Sequence, residues 1–395
     1  MRKITLYFLP LVIALLTIIL TFYENLWIEF FRTLNVPPQL PPFSDLDAIS
    51  KAVDSKDAGF NPYLNNPFDL KGKTYVYPSI WIHFFELFNL NQSINFKIFN
   101  FITLYIYTFI FIKIVYDVNQ KFFTLIIIIL FLSSANLLAI ERLNIEIIIF
   151  ILIYLLAISK NNIFKIPLFT LAIYGKLYPL FSVFIFLKNK KILIFMILIS
   201  FLILFHMKEE INFLIKHGNE VALNIAYGVP TLTKGIWYYS MKFGYFINDD
   251  NYKIFKYIMV FFASIYALSL VLINFNFGRK KIEENFNLDE KLFICGAGIF
   301  IGRFINFSNV DYSLIFIIFT LPYIFNEKFL KFKYFLIICI IISFYSSFFE
   351  FGDRYTLNYF SMAVFIHSIK LFVFSYICFL FGKVLNKHLE IKFFK

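Results

Sequence analysis

The sequence predicts an all-α fold: a polytopic helical membrane protein of about twelve transmembrane segments with a large first extracytoplasmic loop. Three observations lead there. The 395 residues are 60% hydrophobic, and the mean hydropathy is +0.74, more apolar surface than one water-soluble core of this length can hide. Apolar runs that approach or exceed the roughly 18 to 20 residues of a bilayer crossing begin at Ile4 to Phe22 and recur to the C-terminus. Segments such as Leu125 to Leu132 are apolar at every position, whereas a transmembrane β-barrel needs short alternating strands.

The net charge of +12 is spread as Lys and Arg between the apolar runs, so it reports topology and argues against a nucleic-acid partner. Cys295, Cys339 and Cys378 all fall in apolar stretches without metal-ligand spacing or a disulfide framework. The first run follows Met1-Arg2-Lys3 as a signal peptide would, but it is long and lacks a small-residue cleavage site, so it reads as an uncleaved first helix.

Placing Arg2 and Lys3 in the cytoplasm fixes the count. Residues 23–93 become the first extracytoplasmic loop, rich in Asp. Runs at about 94–116 and 122–140 form a hairpin, and a fourth helix leads inward to Lys160 and Lys165. A single crossing over 163–187 would leave Lys188, Lys190 and Lys191 outside, so the chain is expected to break at Tyr174-Gly175-Lys176-Leu177-Tyr178-Pro179 and re-enter. A helix near 192–206, a second extracytoplasmic loop over 207–253 and a helix near 254–276 put Arg279, Lys280 and Lys281 inside. The remaining runs, near 291–305, 312–326, 331–349 and 359–382, place both termini in the cytoplasm. All of this reads as one integral membrane domain over 1–395, in a cell (inner or plasma) membrane.

Chemistry-bearing residues concentrate on the outer side of this register. Phe43-Ser44-Asp45-Leu46-Asp47 opens a segment whose carboxylates either cap a short helix or serve as a general base at the bilayer surface. Lys176 is the only charged residue between Lys165 and Lys188; an unpaired cation in an apolar run costs about 2.5 to 3.5 kcal/mol, so it requires a phosphate or carboxylate partner or must snorkel to the interface. Arg142 follows Glu141 as an ion pair or an anion ligand, and Arg303 and Arg354 are outer-side cations. No Gly-rich phosphate loop, zincin His pair or nucleophile elbow occurs, so no metal site or cofactor is expected.

In order and spacing, Asp45, Gly59-Phe60-Asn61-Pro62-Tyr63, Tyr77-Pro78, Arg142-Leu143-Asn144 and Gly175-Lys176-Leu177-Tyr178-Pro179, with a weaker echo in Phe307 to Tyr312, resemble the GT-C superfamily of membrane glycosyltransferases. Within it the likeness is to the family 87 mannosyltransferase-like and arabinofuranosyltransferase-like proteins. It covers roughly the first half of the chain. Glu141-Arg142 and Tyr77-Pro78-Ser79 depart from the family pattern. The resemblance implies transfer of a hexose such as mannose from a polyprenyl-phosphate-linked donor to a glycan or glycolipid acceptor on the extracytoplasmic face. It implies Asp45, with Asp47 as the alternative, as the base; Lys176, Arg142, Arg303 and Arg354 on the donor phosphate; and a cavity that includes Asn61, Tyr63, Tyr77, His83, Asn144, Tyr178, Asp311 and Tyr312. A lipid-linked sugar flippase and a polysaccharide polymerase or ligase are the competing classes.

Overall fold

The computed structural model describes residues 2–70, 72, 74–118, 120–217, 226–242, 249–273, 285–307, 309–327, 332–346 and 357–389. Among the described residues the protein is about 80% helical, with almost no strand. It divides into two compact units, Met1–Leu177 with Leu198–Gly218, and Tyr178–Ile197 with Asn219–Lys395.

The first unit begins with α1 (Arg2–Leu20), which packs against α5 (Ser93–Val118). The stretch expected as the first outer loop carries three helices, α2 (Glu24–Thr33), α3 (Ser44–Asp57) and α4 (Ile80–Leu87). Helix α2 is amphipathic: Trp27 and Phe31, one turn apart, are buried, while Leu26 and Phe30 are exposed. Helix α3 starts where the Ser-Asp signal places it, but its cap position is Phe43 in the left-handed region (φ 61°), and no side chain caps it by a hydrogen bond. Asp45 and Asp47 lie in its first turn, where the helix dipole favours them. The capping role open to both carboxylates in the sequence is therefore not the one they take.

The expected helix over 122–140 is two, α6 (Lys121–Phe131) and α7 (Ser134–Arg142), bent by 53°. Ser133 causes the break: its hydroxyl donates to the Leu130 carbonyl (2.6 Å) and accepts from the Asn136 amide (3.3 Å), which diverts the backbone ladder at that point. Leu143 then turns through the left-handed region (φ 42°), and Asn144 caps α8 (Ile145–Ile158) through the Glu146 amide. Helix α9 (Asn162–Gly175) stops at the expected break: Lys176 is extended, and the Trp81 indole donates to the Gly175 carbonyl (2.9 Å), an acceptor the helix end leaves open. A Cβ at Gly175 would sit 2.8 Å from that indole, so glycine permits the approach. Helix α10 (Lys190–His206) contributes its second half to this unit and bends by 65° into α11 (Lys208–His217), within the stretch expected as the second loop.

The second unit opens on a 3-10 segment, Tyr178–Phe186, and continues through α12 (Val229–Lys242), α13 (Asp249–Ile273), α14 (Leu288–Asn306), α15 (Leu321–Asn326), α16 (Lys333–Phe344) and α17 (Leu357–His388). The run expected as a helix over 312–326 is 3-10 from Asp311 to Thr320 and α-helical only as α15. A two-residue antiparallel ribbon pairs Ala226 with Val310 and Tyr227 with Asn309. Helix α14 is at the centre, starting with a reciprocal Asn287–Glu290 capping box and packing on the 3-10 segments. The closest approach is at Gly298 and Gly302, where an added Cβ would lie 2.2 Å from the Phe181 carbonyl oxygen and 1.9 Å from its ring.

Among the described residues three helices are long and apolar enough to cross a membrane, Ser93–Val118, Asn251–Ile273 and Ser361–His388, and five spans result if each bent pair counts as one. That is fewer than the twelve crossings expected. The shorter apolar helices, such as the 14-residue α8 and α9, are each about 21 Å long against a hydrocarbon core of about 30 Å. Their lengths are set at Asn144, Asn161 and Gly175, two polar caps and a glycine that hydropathy averaging passes over.

Candidate active site

The polar centre of the first unit is a narrow cleft of about 160 Å³ at the start of α3. Its lining includes Gln39, Ser44, Asp45, Asp47 and Asp69 on one part and the irregular segment Thr74 to Tyr77 on another. The volume is below the roughly 300 to 1,000 Å³ of a small-molecule pocket, enough for a few waters or the reacting end of a larger substrate.

The corner between α7 and α8 supplies the groups that hold this cleft. The Asn144 side chain donates to a carboxylate oxygen of Asp45 while its own carbonyl oxygen accepts from the Glu146 amide (3.0 Å), so one asparagine caps a helix and orients an acid. Arg142 donates to Ser44 Oγ (3.3 Å) and to the Pro37 carbonyl (3.0 Å), and its Nε lies 2.9 Å from Glu141. Glu141 in turn accepts from the Gln39 amide (2.7 Å), and its carbonyl accepts from Phe43 (3.2 Å). Five links to a segment some hundred residues earlier thus fix the entry to α3.

The two acids differ. Asp45 is held by Asn144. The Asp47 carboxylate accepts no side-chain hydrogen bond among the described residues. Burial raises its pKa above the ordinary Asp value, Lys51 opposes the rise, and the neighbouring Asp69 and Asp54 add to it. Asp47 therefore holds a proton more readily than a solvated carboxylate does.

Lys176 has the partner its apolar setting demands. Its ammonium lies 3.1 Å from Glu146, which is fully buried in the first turn of α8, and 5.5 Å from the centre of the Tyr77 ring on the cleft wall. Glu146 was not singled out in the sequence. The available signal was that it is the one charged residue in the run Ile145–Ile158. Tyr63 donates to the Tyr77 carbonyl (3.0 Å), and its ring meets Tyr75 edge-on at 5.2 Å. Asn61 is exposed, its side chain accepting from the Tyr63 amide (3.1 Å). His83 is exposed and contacts Glu86 (3.2 Å), away from the cleft lining.

The remaining candidates belong to the second unit. Arg303 is buried, donating to Asn309 (2.8 Å) and Ser313 (2.6 Å) with its guanidinium 4.0 Å above the Tyr178 ring. Asp311 is buried and holds Lys370 through both oxygens (2.7 and 2.9 Å), with Ser346 also donating to it. Lys370 completes its bonds on the Ala226 carbonyl (3.0 Å). Tyr312 is partly buried beside this pair in sequence. Arg354 lies outside the described residues. Among those described, no group of three or more His, Cys, Asp or Glu side chains is placed to hold a metal ion.

No family model, no curated protein and no solved structure matches the chain.

Proposed function

We propose that this chain is a membrane glycosyltransferase of the GT-C kind, moving a hexose such as mannose from a polyprenyl-phosphate donor to a glycan or glycolipid acceptor on the extracytoplasmic face. One observation supports it above the others: two carboxylates share a narrow cleft, one oriented by Asn144, the other with raised proton affinity, beside a wall whose Tyr77 lies under Lys176. In this reading Asp45 takes the proton of the acceptor hydroxyl as its oxygen attacks the anomeric carbon. The bond from that carbon to the phosphate oxygen breaks, the electron pair leaves with the polyprenyl phosphate, and the configuration inverts in a single displacement. Lys176 and Arg142 are the cations on the same unit that would meet the developing charge, although each already holds a carboxylate, Glu146 and Glu141 respectively. Arg303, committed to Asn309, Ser313 and Tyr178, contributes to packing in this reading. The multi-pass topology with both termini cytoplasmic is part of the same proposal.

The test reconstitutes the purified protein in liposomes with radiolabelled polyprenyl-phosphate sugars and extracted membrane glycolipids. Label moves to acceptor in the wild type, and Asp45→Asn slows that transfer by about 10²- to 10⁴-fold while donor binding persists. Label that crosses the bilayer intact, without transfer, makes the protein a flippase and overturns the assignment.

A further inference from the structure

The cleft wall from Thr74 to Tyr77 has no regular secondary structure, so its position depends on whatever its polar groups find nearby. Two contacts on the residues that flank and hold it come from α11, a helix more than a hundred residues later. Glu210 accepts from the Ser79 hydroxyl (2.5 Å) and from the Ser79 amide (3.2 Å), with both carboxylate oxygens engaged at the residue that immediately precedes α4. One turn further along α11, Phe213 meets the Tyr63 ring edge-on at 5.5 Å. Tyr63 in turn donates to the Tyr77 carbonyl (3.0 Å), and Tyr75 donates to the Pro78 carbonyl (3.1 Å). Burial first, then the Glu210 carboxylate, against a hydrogen bond with Ser79, hold the Tyr63 phenol above its ordinary pKa, so it stays a donor.

From this we infer that α11 is a strap that sets the cleft wall, and that Glu210 is a positioning residue acting through Ser79 and Tyr77 on whatever enters the cleft. In the glycosyltransferase reading, on which this part of the inference rests, the ligand so positioned is the acceptor. The amphipathic character of α11 suits the role: Lys208, Glu209 and Asn212 are exposed, while Glu210, Phe213 and Leu214, spaced three and four apart on one face, are partly buried. It follows the apolar α10 directly across the 65° bend, so displacement of that span pulls on the strap.

The experiment uses the full chain in lipid nanodiscs and two readouts. Hydrogen exchange of the peptide covering Thr74 to Ser79 is followed with peptides from α8 and α9 as internal references, and transfer kinetics are measured for acceptor and donor separately. Glu210→Gln, which keeps the shape but removes the charge, is expected to speed exchange in the wall about tenfold and leave α8 and α9 unchanged. It is expected to raise the acceptor KM about tenfold, with kcat within about twofold and donor KM unmoved. Ser79→Ala gives the same pattern at smaller size, and the double variant is no worse than Glu210→Gln alone, because both act on one link.

Unchanged exchange in the wall, or exchange that rises equally in α8 and α9, overturns the strap. Faster exchange with acceptor KM unmoved overturns the positioning role. A wild type without transfer activity defeats the glycosyltransferase reading instead, and the exchange readout still decides the strap.

Discussion

In the first unit Asp45 and Asp47 line a cleft, and Asp47 is left without a side-chain hydrogen bond among the described residues. In the second, Asp311 stands in a similar sequence setting, a polar segment opening an apolar run, yet its carboxylate is closed off by Lys370 and Ser346 and is 3% exposed. The residue type is the same. What differs is whether a cation from a distant helix saturates it. Lys370 comes from the interior of α17, where an ammonium has no water to turn to, and it meets both oxygens of Asp311 and the Ala226 carbonyl there. Lys51, by contrast, is one turn away on α3 and shares its charge with Asp54 (3.0 Å), which leaves Asp47 only a through-space interaction. A carboxylate completed by a buried partner becomes a tie in the fold, and one left incomplete in a cleft keeps its capacity for a ligand or a proton.

Removing the partner tests the comparison most severely. Lys370→Met leaves Asp311 buried and uncompensated and is expected to cost about 3 to 5 kcal/mol of stability, read from unfolding midpoints in detergent; combining it with Asp311→Leu recovers most of the loss. Full stability of the single variant would mean the pair is solvated. A smaller effect addresses packing in the same unit: Gly302→Ala drives a methyl into the Phe181 ring and should cost about 1 to 3 kcal/mol by the same measurement, with Phe181→Ala restoring part of it.

The smallest effect sharpens the contrast from the other side. Because the folded pKa of Asp47 is raised, the native state binds its proton more tightly than the unfolded chain does, and ionising it costs stability. That cost is absent below the ordinary carboxylate pKa of 3.8 and is fully present above the raised folded value. Asp47→Asn is therefore expected to stabilise the protein slightly at pH 7, with the difference vanishing as the pH falls below 3.8; a variant less stable than wild type at pH 7 would show that the ionised carboxylate is a structural tie after all.

Several features of the site were legible beforehand. The break at Gly175 and the unusual Lys176 were readable because the placement of lysines and a glycine in an apolar run speaks directly about topology. The start of α3 at Ser44 was readable from local turn chemistry. Glu146 as the partner of Lys176 was not singled out, since a salt bridge between residues 30 apart leaves no periodic trace. Nor was the Gly298 and Gly302 pair, whose spacing of four places both on one helix face but whose purpose appears only with Phe181 against it. The bend at Ser133 was hidden because hydropathy averages over a serine that a hydrogen-bond inventory does not.

By itself the sequence determined that this is a helical protein with stretches long and apolar enough to span a membrane, and where several helices start and stop, because composition, apolar periodicity and capping act over a few neighbouring residues. Only the tertiary structure decided which acids and bases meet. Asn144 reaches Asp45 across 99 positions, Glu141 holds Gln39 across 102, and Glu210 holds Ser79 across 131. Such pairs depend on how the helices between them turn and pack, and each is stabilised by burial that only the assembled unit provides.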